Sequence, residues 1–535
     1  MNTQTTYNTG LYYFILLAIL PVLLINLGAP VLIDDEALRA LVGLEMKFSG
    51  NYFAPTLNGE WYYKKPPLYN WLLLSFFGIT GSVNEWTTRI PTVVFLLAYA
   101  GTIFYFFKRH LSTLNAFLAA MMMVTCGRML FYDSMLGLID TCYSWVTFTS
   151  FMVIFHQFQK EQWLKLFVLS YLLAATGFLM KGLPSVVFQG FTLLAYFACR
   201  RKFYLMFRWQ HIVGGLAFVC VVGGYYLIYH QYNSLENVFS TLLNETTKRT
   251  VANYSIWRTI GHFLSFPFEL IYHFLPWTLL FIYFFRKKIG ALLRQSDFII
   301  FCIICFLANI IVYWTAPKIH PRYLFMLMPL VFGVLMYLHS HHKASNSIAF
   351  RMLYYLFGGC VTIVAITSLA PLWLERTQAT PFLYLKVALL FGLFVPLVFL
   401  YWQKKAAPLL VLVAVLLVVR LAFDWFVIPD RIANDFGSLC RSTTKEAAVL
   451  TIDTPIAAYK ETEMQPTTTF YMMNIRQEIV PIHFNTFDPN TIYIIDPNEY
   501  PNLEYDKITE FKVRHGKKTY HMGKLKSIKS KSYGH

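Results

Sequence analysis

The sequence predicts a polytopic α-helical membrane protein with about thirteen transmembrane helices and a small soluble α/β domain at its C-terminus. Only 14% of the 535 residues are charged and 57% are hydrophobic, whereas about a quarter of the residues of a typical soluble domain are charged. Apolar runs of about twenty residues, the length that crosses a bilayer as a helix, recur up to residue 428. After that residue, charged side chains become frequent and strand-like patterns alternate with helical ones.

The predicted spans follow from this length rule. They cover residues 11–31, 89–107, 112–131, 141–158, 165–180, 183–199, 211–230, 267–285, 297–316, 321–339, 350–371, 382–402 and 407–428. Every second connection is rich in Lys and Arg, so the positive-inside rule places those connections and the N-terminus in the cytoplasm. The long loops 31–88 and 231–266 and the tail then face outward. The chain thus divides into a transmembrane domain, 1–428, and a soluble domain, 429–535.

The tail is predicted to form strands and a helix. The segments PIAAY, EIVPIHF and TIYIID have the pattern of strands, and PTTTFYMMNIR has that of a helix. The segment EFKVRHGKKTYHMGKLK is predicted to be a hairpin that turns at His515-Gly516. Because no G-x-G-x-x-G follows a strand, the tail predicts no nucleotide site.

The formal net charge of +17 does not indicate a nucleic-acid partner. The basic residues concentrate in short loops between spans, where they act as orientation signals. A nucleic-acid-binding protein would instead collect them in a patch or stripe. The charge therefore predicts contact with the bilayer and excludes nucleic acid as a partner.

Three consecutive acids open the first long loop. Asp34, Asp35 and Glu36 follow the first span and begin an amphipathic pattern that ends at Ser49-Gly50. We expect this segment to form a helix at the membrane surface. A carboxylate at its start can take a proton from an acceptor or bind a metal ion. It can also cap the helix, although capping needs only one of the three.

Several cations lie in the outward loops. They are Lys64 and Lys65 before Pro66-Pro67, Lys181 at an abrupt break between two spans, Arg249 in the second long loop, and Arg322 in a short turn. Lysine and arginine are good partners for a phosphate, so these residues predict an anion site assembled from several loops. Taken singly, each is also typical of a membrane-interface anchor.

Further charged residues lie at the ends of spans or within them. Asp133 and Asp140 lie where the third span reaches the outer side, as site acids or as solvated span ends, and Arg128 is the nearest cation to Asp133. Arg420 and Asp424 lie four residues apart inside the last span. That spacing predicts a structural ion pair.

A series of short motifs runs from the first loop to residue 323. It comprises Asp35-Glu36, Glu45-Met46, Ser49-Gly50, Asn58-Gly59, Lys65-Pro66-Pro67, Trp71, Arg89 to Pro91, Asp140, Lys181-Gly182, Glu245 with Arg249, Pro276-Trp277 and Arg322-Tyr323. The series resembles that of the C-type integral-membrane glycosyltransferases, in particular the lipid A aminoarabinose transferases and the protein O-mannosyltransferase-like enzymes. The resemblance covers about residues 1–340 and is most specific over the first ninety.

The resemblance implies a function and a place in the cell. The donor would be a sugar linked to a polyprenyl phosphate, used on the periplasmic face of a bacterial inner membrane. The acceptor would be a lipid A-like glycolipid, another glycan or a protein. The soluble tail would lie in the periplasm.

The resemblance also implies roles for individual residues. Asp35 would be the catalytic carboxylate, beside Glu36 and with Asp140 as the second acid. The donor phosphate would be bound by Lys65, Arg249 and Arg322, and the pattern of cations in the outward loops adds Lys181 and Lys64 to this predicted set. It leaves open whether a divalent metal ion is a cofactor. One position departs from the pattern, because Lys64 stands where the aminoarabinose transferases have a glutamate.

Two other functional classes fit a polytopic chain. The first is a flippase or transporter for lipid-linked sugars, which would place ionisable groups near the bilayer midplane and often contains repeated halves. The charges here lie mostly at span ends, and the sequence contains no clear repeat. The second is a non-catalytic receptor that binds through the tail.

Overall fold

A computed structural model of the chain describes residues 3–247, 256–316, 319–485 and 487–526. In these ranges the chain is mostly helical. The α-helices are α1 Thr3–Leu24, α2 Asp34–Ser49, α3 Leu68–Thr80, α4 Glu85–Phe107, α5 Thr113–Thr125, α6 Gly127–Phe131, α7 Ile139–Gln159, α8 Trp163–Lys181, α9 Pro184–Cys199, α10 Trp209–Tyr229, α11 Glu236–Thr247, α12 Ile256–His273, α13 Ile289–Leu293, α14 Asp297–Trp314, α15 Met328–Ala344, α16 Ile348–Thr367, α17 Leu383–Trp402, α18 Pro408–Ala422, α19 Ile428–Ala433, α20 Phe436–Leu450 and α21 Pro466–Arg476.

Strands and short helical turns complete the described chain. The strands are β1 Thr56–Leu57, β2 Glu60–Trp61, β3 Ile456–Tyr459, β4 Ile482–His483, β5 Ile492–Ile495, β6 Tyr505–Lys512 and β7 Thr519–Leu525. The short 3-10 helices are Asp133–Met135, Phe203–Phe207, Trp277–Phe284, Pro321–Leu324, Ala370–Leu372, Glu375–Thr377 and His515–Lys517. A π-helical turn, Phe423–Val427, joins α18 to α19.

The protein is a multi-pass membrane protein. Within the described ranges, eight helices are long and apolar enough to cross a membrane, or up to ten if each of two bent helix pairs is one span. The predicted number of thirteen spans is not confirmed. One reason is length, because α9 has 16 residues and a helix rises about 1.5 Å per residue, which is less than the roughly 30 Å of a hydrocarbon core.

Helix α2 begins and ends where the sequence predicts. Gly50 follows it in the left-handed conformation, with φ of 68°, which terminates the helix. Its environment differs from the prediction, because most of its residues from Glu36 to Met46 are buried instead of forming one exposed polar face. Helix α3 and helix α21 of the tail both pack against α2. The tail therefore covers the helix that carries the acidic cluster.

The tail contains a five-stranded mixed sheet in the order β4-β3-β5-β7-β6. Strand β3 pairs in parallel with β4 and β5, whereas β7 pairs antiparallel with β5 and β6. The strands expected from the three short segments and the hairpin expected to turn at His515-Gly516 are present. Helices α20 and α21 pack against each other beside this sheet.

Polar contacts join the tail to the rest of the chain. The Tyr471 hydroxyl accepts a hydrogen bond from the Leu32 backbone N–H at 3.2 Å and donates one to the Glu85 carboxylate at 2.9 Å. Arg441 Nη1 pairs with the same Glu85 oxygen at 2.8 Å. Thr467 Oγ1 donates to the Leu32 carbonyl at 3.3 Å. These bonds fix the backbone immediately before the acidic cluster.

We expect Tyr471→Phe to destabilise the protein by about 1–3 kcal/mol, because it leaves the Leu32 N–H without its acceptor and removes one donor to the buried Glu85. Thermal unfolding of the purified chain measures the effect. Tyr500→Phe is the matched control, since the Tyr500 hydroxyl accepts only an exposed hydrogen bond from the Glu461 N–H. Equal unfolding temperatures for Tyr471→Phe and the wild type would contradict the expectation.

Candidate functional site

Four of the predicted site residues form one line of alternating charges. Arg322 lies between two acids, with Nη2 2.6 Å from Asp35 Oδ2 and Nε 3.1 Å from Asp140 Oδ2. Asp140 also accepts a hydrogen bond from the Lys181 ammonium through its other oxygen. The Asp35 carboxylate is 55% exposed, whereas that of Asp140 is only 5% exposed. Asp35 is therefore the acid of this line that a substrate can reach.

Helix ends position these charges. Asp35 and Asp140 lie in the first turns of α2 and α7, and Lys181 is the last residue of α8. The helix dipole favours acids at N-termini and cations at C-termini, so each group lies where its charge is stabilised. Gly182 follows with φ of 83°, a conformation that suits glycine and lets the chain turn directly into α9.

Two tyrosines flank the Lys181 ammonium. Its Nζ lies 4.2 Å from the ring centroid of Tyr323 and 5.0 Å from that of Tyr143. Cation–π contacts of this kind hold a lysine in place in a partly dehydrated setting. Lys181 is thus directed at Asp140 and acts on the site through it.

Glu36 lies in a separate, fully buried pair. It binds Arg89 through two contacts, Oε2 to Nε at 3.0 Å and Oε1 to Nη2 at 2.7 Å, and both side chains are fully buried. Glu36 also accepts from the N–H groups of Ile33, at 3.0 Å, and Gly137, at 2.7 Å. Both of its oxygens are therefore engaged, and one of the contacts is the capping interaction at the start of α2.

Glu45 holds the hairpin formed by the antiparallel strands β1 and β2, which precedes Lys64 and Lys65. Its carboxylate accepts from Thr56 Oγ1 at 2.7 Å and from the N–H groups of Asn58, at 2.5 Å, and Gly59, at 3.2 Å. Burial raises the pKa of Glu45, and these hydrogen bonds act in the opposite direction. Two motifs of the series noted in the sequence, Glu45-Met46 and Asn58-Gly59, are thus joined in one contact.

Lys65 lies at an aromatic cleft next to the charged line. The cleft is lined by Pro55, Tyr62, Tyr63, Lys65, Pro66, Tyr225, Tyr226, Tyr229 and Val238. The Lys65 ammonium is close enough to act electrostatically on Asp140. Lys64 is exposed and is not among the lining residues. The two adjacent lysines therefore differ in environment, because Lys65 lines the cleft and Lys64 does not.

One predicted site residue, Arg249, lies outside the described residues, and so does the side chain of Glu245. Two predicted pairings are present: Arg128 Nε lies 2.5 Å from Asp133 Oδ2, and Arg420 Nε lies 2.9 Å from Asp424 Oδ2. Both members of the second pair are fully buried, as expected for a structural ion pair inside a span.

The described residues do not fit a metal site. No group of three or more His, Cys, Asp and Glu side chains in this part of the chain is arranged to hold a metal ion. Asp35 and Asp140 have Arg322 or Lys181 as their close partners. We therefore derive no step through a metal ion.

The sequence did not single out Arg39 or Tyr62 as members of this region. Arg39 follows Asp35 by four residues, which places both on one face of a helix, and that spacing was an available signal. Tyr62 belongs to the run Trp61-Tyr62-Tyr63 before the lysines. Such a run is also typical of an aromatic belt at a membrane interface.

Comparisons with known proteins agree with this architecture. The profile of the dolichyl-phosphate-mannose-protein mannosyltransferase family matches residues 64–226. The undecaprenyl phosphate-alpha-4-amino-4-deoxy-L-arabinose arabinosyl transferase of Shewanella sediminis (strain HAW-EB3) is 26% identical over 205 residues. That match covers 37% of this chain and 36% of the relative, so it spans about a third of the relative's length.

Two solved structures match nearly the whole chain. Crystal structures of ArnT from Cupriavidus metallidurans, one bound to undecaprenyl phosphate and one in the apo state, give TM-scores of 0.72 and 0.67. They are 16% and 14% identical, and the matches cover 97% and 96% of this chain and 99% and 98% of those chains. The chain therefore has the fold of these two ArnT structures, and at these identities the likeness concerns the fold alone.

Proposed function

We propose that the protein transfers a sugar from a polyprenyl-phosphate donor to an acceptor at the periplasmic face of the membrane. The observation that carries this proposal is the accessible Asp35 carboxylate bound to Arg322, at one end of a line of alternating charges next to the Lys65 cleft. A transferase needs such an arrangement, with a base for the acceptor and cations for the leaving phosphate. The family match and the arabinosyl transferase relative support the same reaction class.

In the proposed reaction, the oxygen of an acceptor hydroxyl, or the nitrogen of an acceptor amine, attacks the anomeric carbon. Asp35 takes the proton from this attacking atom. The bond from the anomeric carbon to the phosphate oxygen breaks, and the polyprenyl phosphate leaves with the electron pair. A single in-line displacement inverts the anomeric centre. Arg322 orients the Asp35 carboxylate, and Asp140 fixes Arg322 from its other side.

We propose that the cations of this region bind the departing phosphate. Lys65 is the main candidate because it lines the cleft and is half-buried, where a charge is screened less than at the surface. Arg322 lies between Asp140 and Asp35. Lys181 contributes through Asp140, the exposed Lys64 contributes at longer range, and Arg249 belongs to the same predicted set. Glu36 serves as a positioning residue for the Asp35 turn.

We also propose the arrangement in the membrane. Residues 1–428 form a transmembrane domain of about thirteen passes with the N-terminus in the cytoplasm, and 429–535 form a periplasmic α/β domain. In support, each predicted span overlaps a helix of the structure. The positive-inside rule puts the segments of Asp35, Asp140, Lys181 and Arg322 on one side, and these residues are in contact. A lipid A-like glycolipid, another glycan or a protein is the acceptor, and the bacterial inner membrane is the location.

A transfer assay tests the proposal. The purified chain in lipid vesicles is supplied with a radiolabelled polyprenyl-phosphate sugar and an envelope extract. We expect the label to leave the donor for a lipid, glycan or protein band, which also identifies the acceptor class. Label that stays on the donor and crosses the bilayer would overturn the transferase and support the flippase.

We expect Lys65→Ala to weaken donor binding by about 10–100-fold, because a hydrogen bond to a charged group contributes about 1.5–3 kcal/mol. Lys64→Ala should cause a smaller loss, since Lys64 is exposed. Lys47→Ala is the control, because Lys47 is exposed near the other end of α2. Titration with the polyprenyl-phosphate sugar measures all three. Equal losses for Lys64→Ala and Lys65→Ala would contradict the distinction that the cleft makes between them.

A further inference from the structure

One buried cation close to the site has no acid partner. Arg39 is only 5% exposed, and its Nη2 donates to the Tyr62 hydroxyl at 2.5 Å. Its Nη1 is buried and has no hydrogen-bond partner. No salt bridge within the described ranges includes Arg39. A buried charge left in this condition is costly unless a ligand neutralises it.

The other buried arginines of the described chain have acid partners. Four arginines are buried. Arg89 pairs with Glu36, Arg420 with Asp424, and Arg476 with Glu478. Arg39 is the exception among them. Its unpaired state is therefore not a general property of this fold.

Arg39 connects the helix of Asp35 to the cleft. It follows Asp35 by one helical turn on α2, so the two side chains leave the same face of the helix. Its partner Tyr62 is one of the residues that line the cleft with Lys65. The Arg39 guanidinium also lies 5.3 Å from the Tyr62 ring centroid. Tyr62 thus fixes one edge of the guanidinium.

We propose that Arg39, held by Tyr62, binds a phosphate group of a substrate. This assignment rests on the proposed function. A guanidinium that is bonded on one nitrogen can offer its second N–H edge to an oxyanion, and the oxyanion supplies the missing negative charge. A lipid-linked donor carries one such phosphate, and a phosphorylated glycolipid acceptor carries another. The neighbouring Lys65 favours the donor phosphate.

A purely structural role makes a different prediction. If Arg39 only packed on the Tyr62 ring, its charge would be dispensable and an uncharged side chain of similar length would serve. An oxyanion-binding role requires the charge. Arg39→Gln tests this difference, and Arg39→Lys keeps the charge without the planar guanidinium.

The experiment is a binding titration of the full chain in nanodiscs. The probes are undecaprenyl phosphate, neutral undecaprenol, and lipid A with and without its phosphates. We expect Arg39→Gln to weaken binding of undecaprenyl phosphate by at least about tenfold, Arg39→Lys by less, and neither to change binding of undecaprenol. Arg208→Gln, which changes an exposed arginine beyond the site, should bind all probes like the wild type.

Results other than the expected one also support or overturn the assignment of Arg39. If only the binding of phosphorylated lipid A falls, Arg39 binds the acceptor phosphate and the assignment as an oxyanion residue stands. If Arg39→Gln binds every phosphate probe as the wild type does, the proposal is wrong. Should Arg39→Gln not fold, Tyr62→Phe releases the guanidinium without removing its charge, and an unchanged affinity in both Tyr62→Phe and Arg39→Lys overturns the proposal. If the wild type binds undecaprenyl phosphate in an Arg39-dependent way but transfers no sugar, the proposed transferase function is wrong and the assignment of Arg39 stands.

Discussion

Asp35→Asn is expected to lower the rate of sugar transfer by about 10²–10⁴-fold, the range that general acid–base catalysis contributes. The asparagine oxygen can still accept a hydrogen bond from Arg322, which lies 2.6 Å from the Asp35 carboxylate. The shape of the site is therefore preserved, and only the ability to take a proton is lost. Initial rates of label transfer under saturating donor measure this effect.

The neighbouring Asp34 provides a matched control. It is exposed, it directly precedes Asp35, and its φ of 41° is a conformation that asparagine tolerates. We expect Asp34→Asn to retain nearly the wild-type rate. Binding of undecaprenyl phosphate should remain in both variants. If Asp35→Asn transferred sugar at the wild-type rate, Asp35 would not be the base and its exposure would need another explanation.

The distinction between Asp35 and Glu36 could not be made from the sequence. Consecutive residues of a helix point about 100° apart, so an acidic run at a helix start sends its members in different directions. Which of them faces the core depends on what the rest of the chain places there. Arg89 and the Gly137 N–H surround Glu36, more than fifty and a hundred residues away in sequence. Only the folded structure brings these groups together.

The contacts between the loops predicted to face outward were predictable in part. The alternation of basic loops alone predicts that Asp140, Lys181 and Arg322 lie on one side of the membrane, because orientation signals act span by span. The pairing of Arg322 with both acids depends on how the helices pack, which a hydropathy pattern does not encode. The order of the tail strands in the sheet likewise could not be predicted from the sequence pattern. Local patterns predicted the strands, whereas the packing of α21 on α2 is a long-range contact.

The structure also explains why Arg39 was missed. In an amphipathic helix at a membrane surface, an arginine belongs to the polar face and needs no partner. Helix α2 is instead enclosed by α3 and α21, so the same arginine becomes a buried charge. The same arginine would be solvated on an exposed helix and is a buried charge in this structure. This change followed from the position of the tail, which the sequence left open.

Glu36→Gln is expected to be the most destabilising of the single substitutions considered, at about 3–5 kcal/mol, because it leaves the fully buried Arg89 without its counter-charge. Denaturation of the purified chain in detergent, followed by tryptophan fluorescence, measures the loss. Glu161→Gln is the control, since Glu161 is 66% exposed and pairs with Lys202 at 2.6 Å. Exposed pairs contribute only about 0–1 kcal/mol. Equal losses in the two variants would contradict the assigned role of the buried pair.

Replacing both partners with apolar side chains separates the ion pair from its backbone contacts. A buried pair alone can often be replaced by apolar residues at little cost. Here Glu36 also accepts from the Ile33 and Gly137 N–H groups, and Arg89 donates to the carbonyls of residues 27, 30 and 31. We therefore expect Glu36→Leu with Arg89→Met to remain strongly destabilised. A double variant as stable as the wild type would show that these backbone groups find other partners and that the pair does not hold the Asp35 turn.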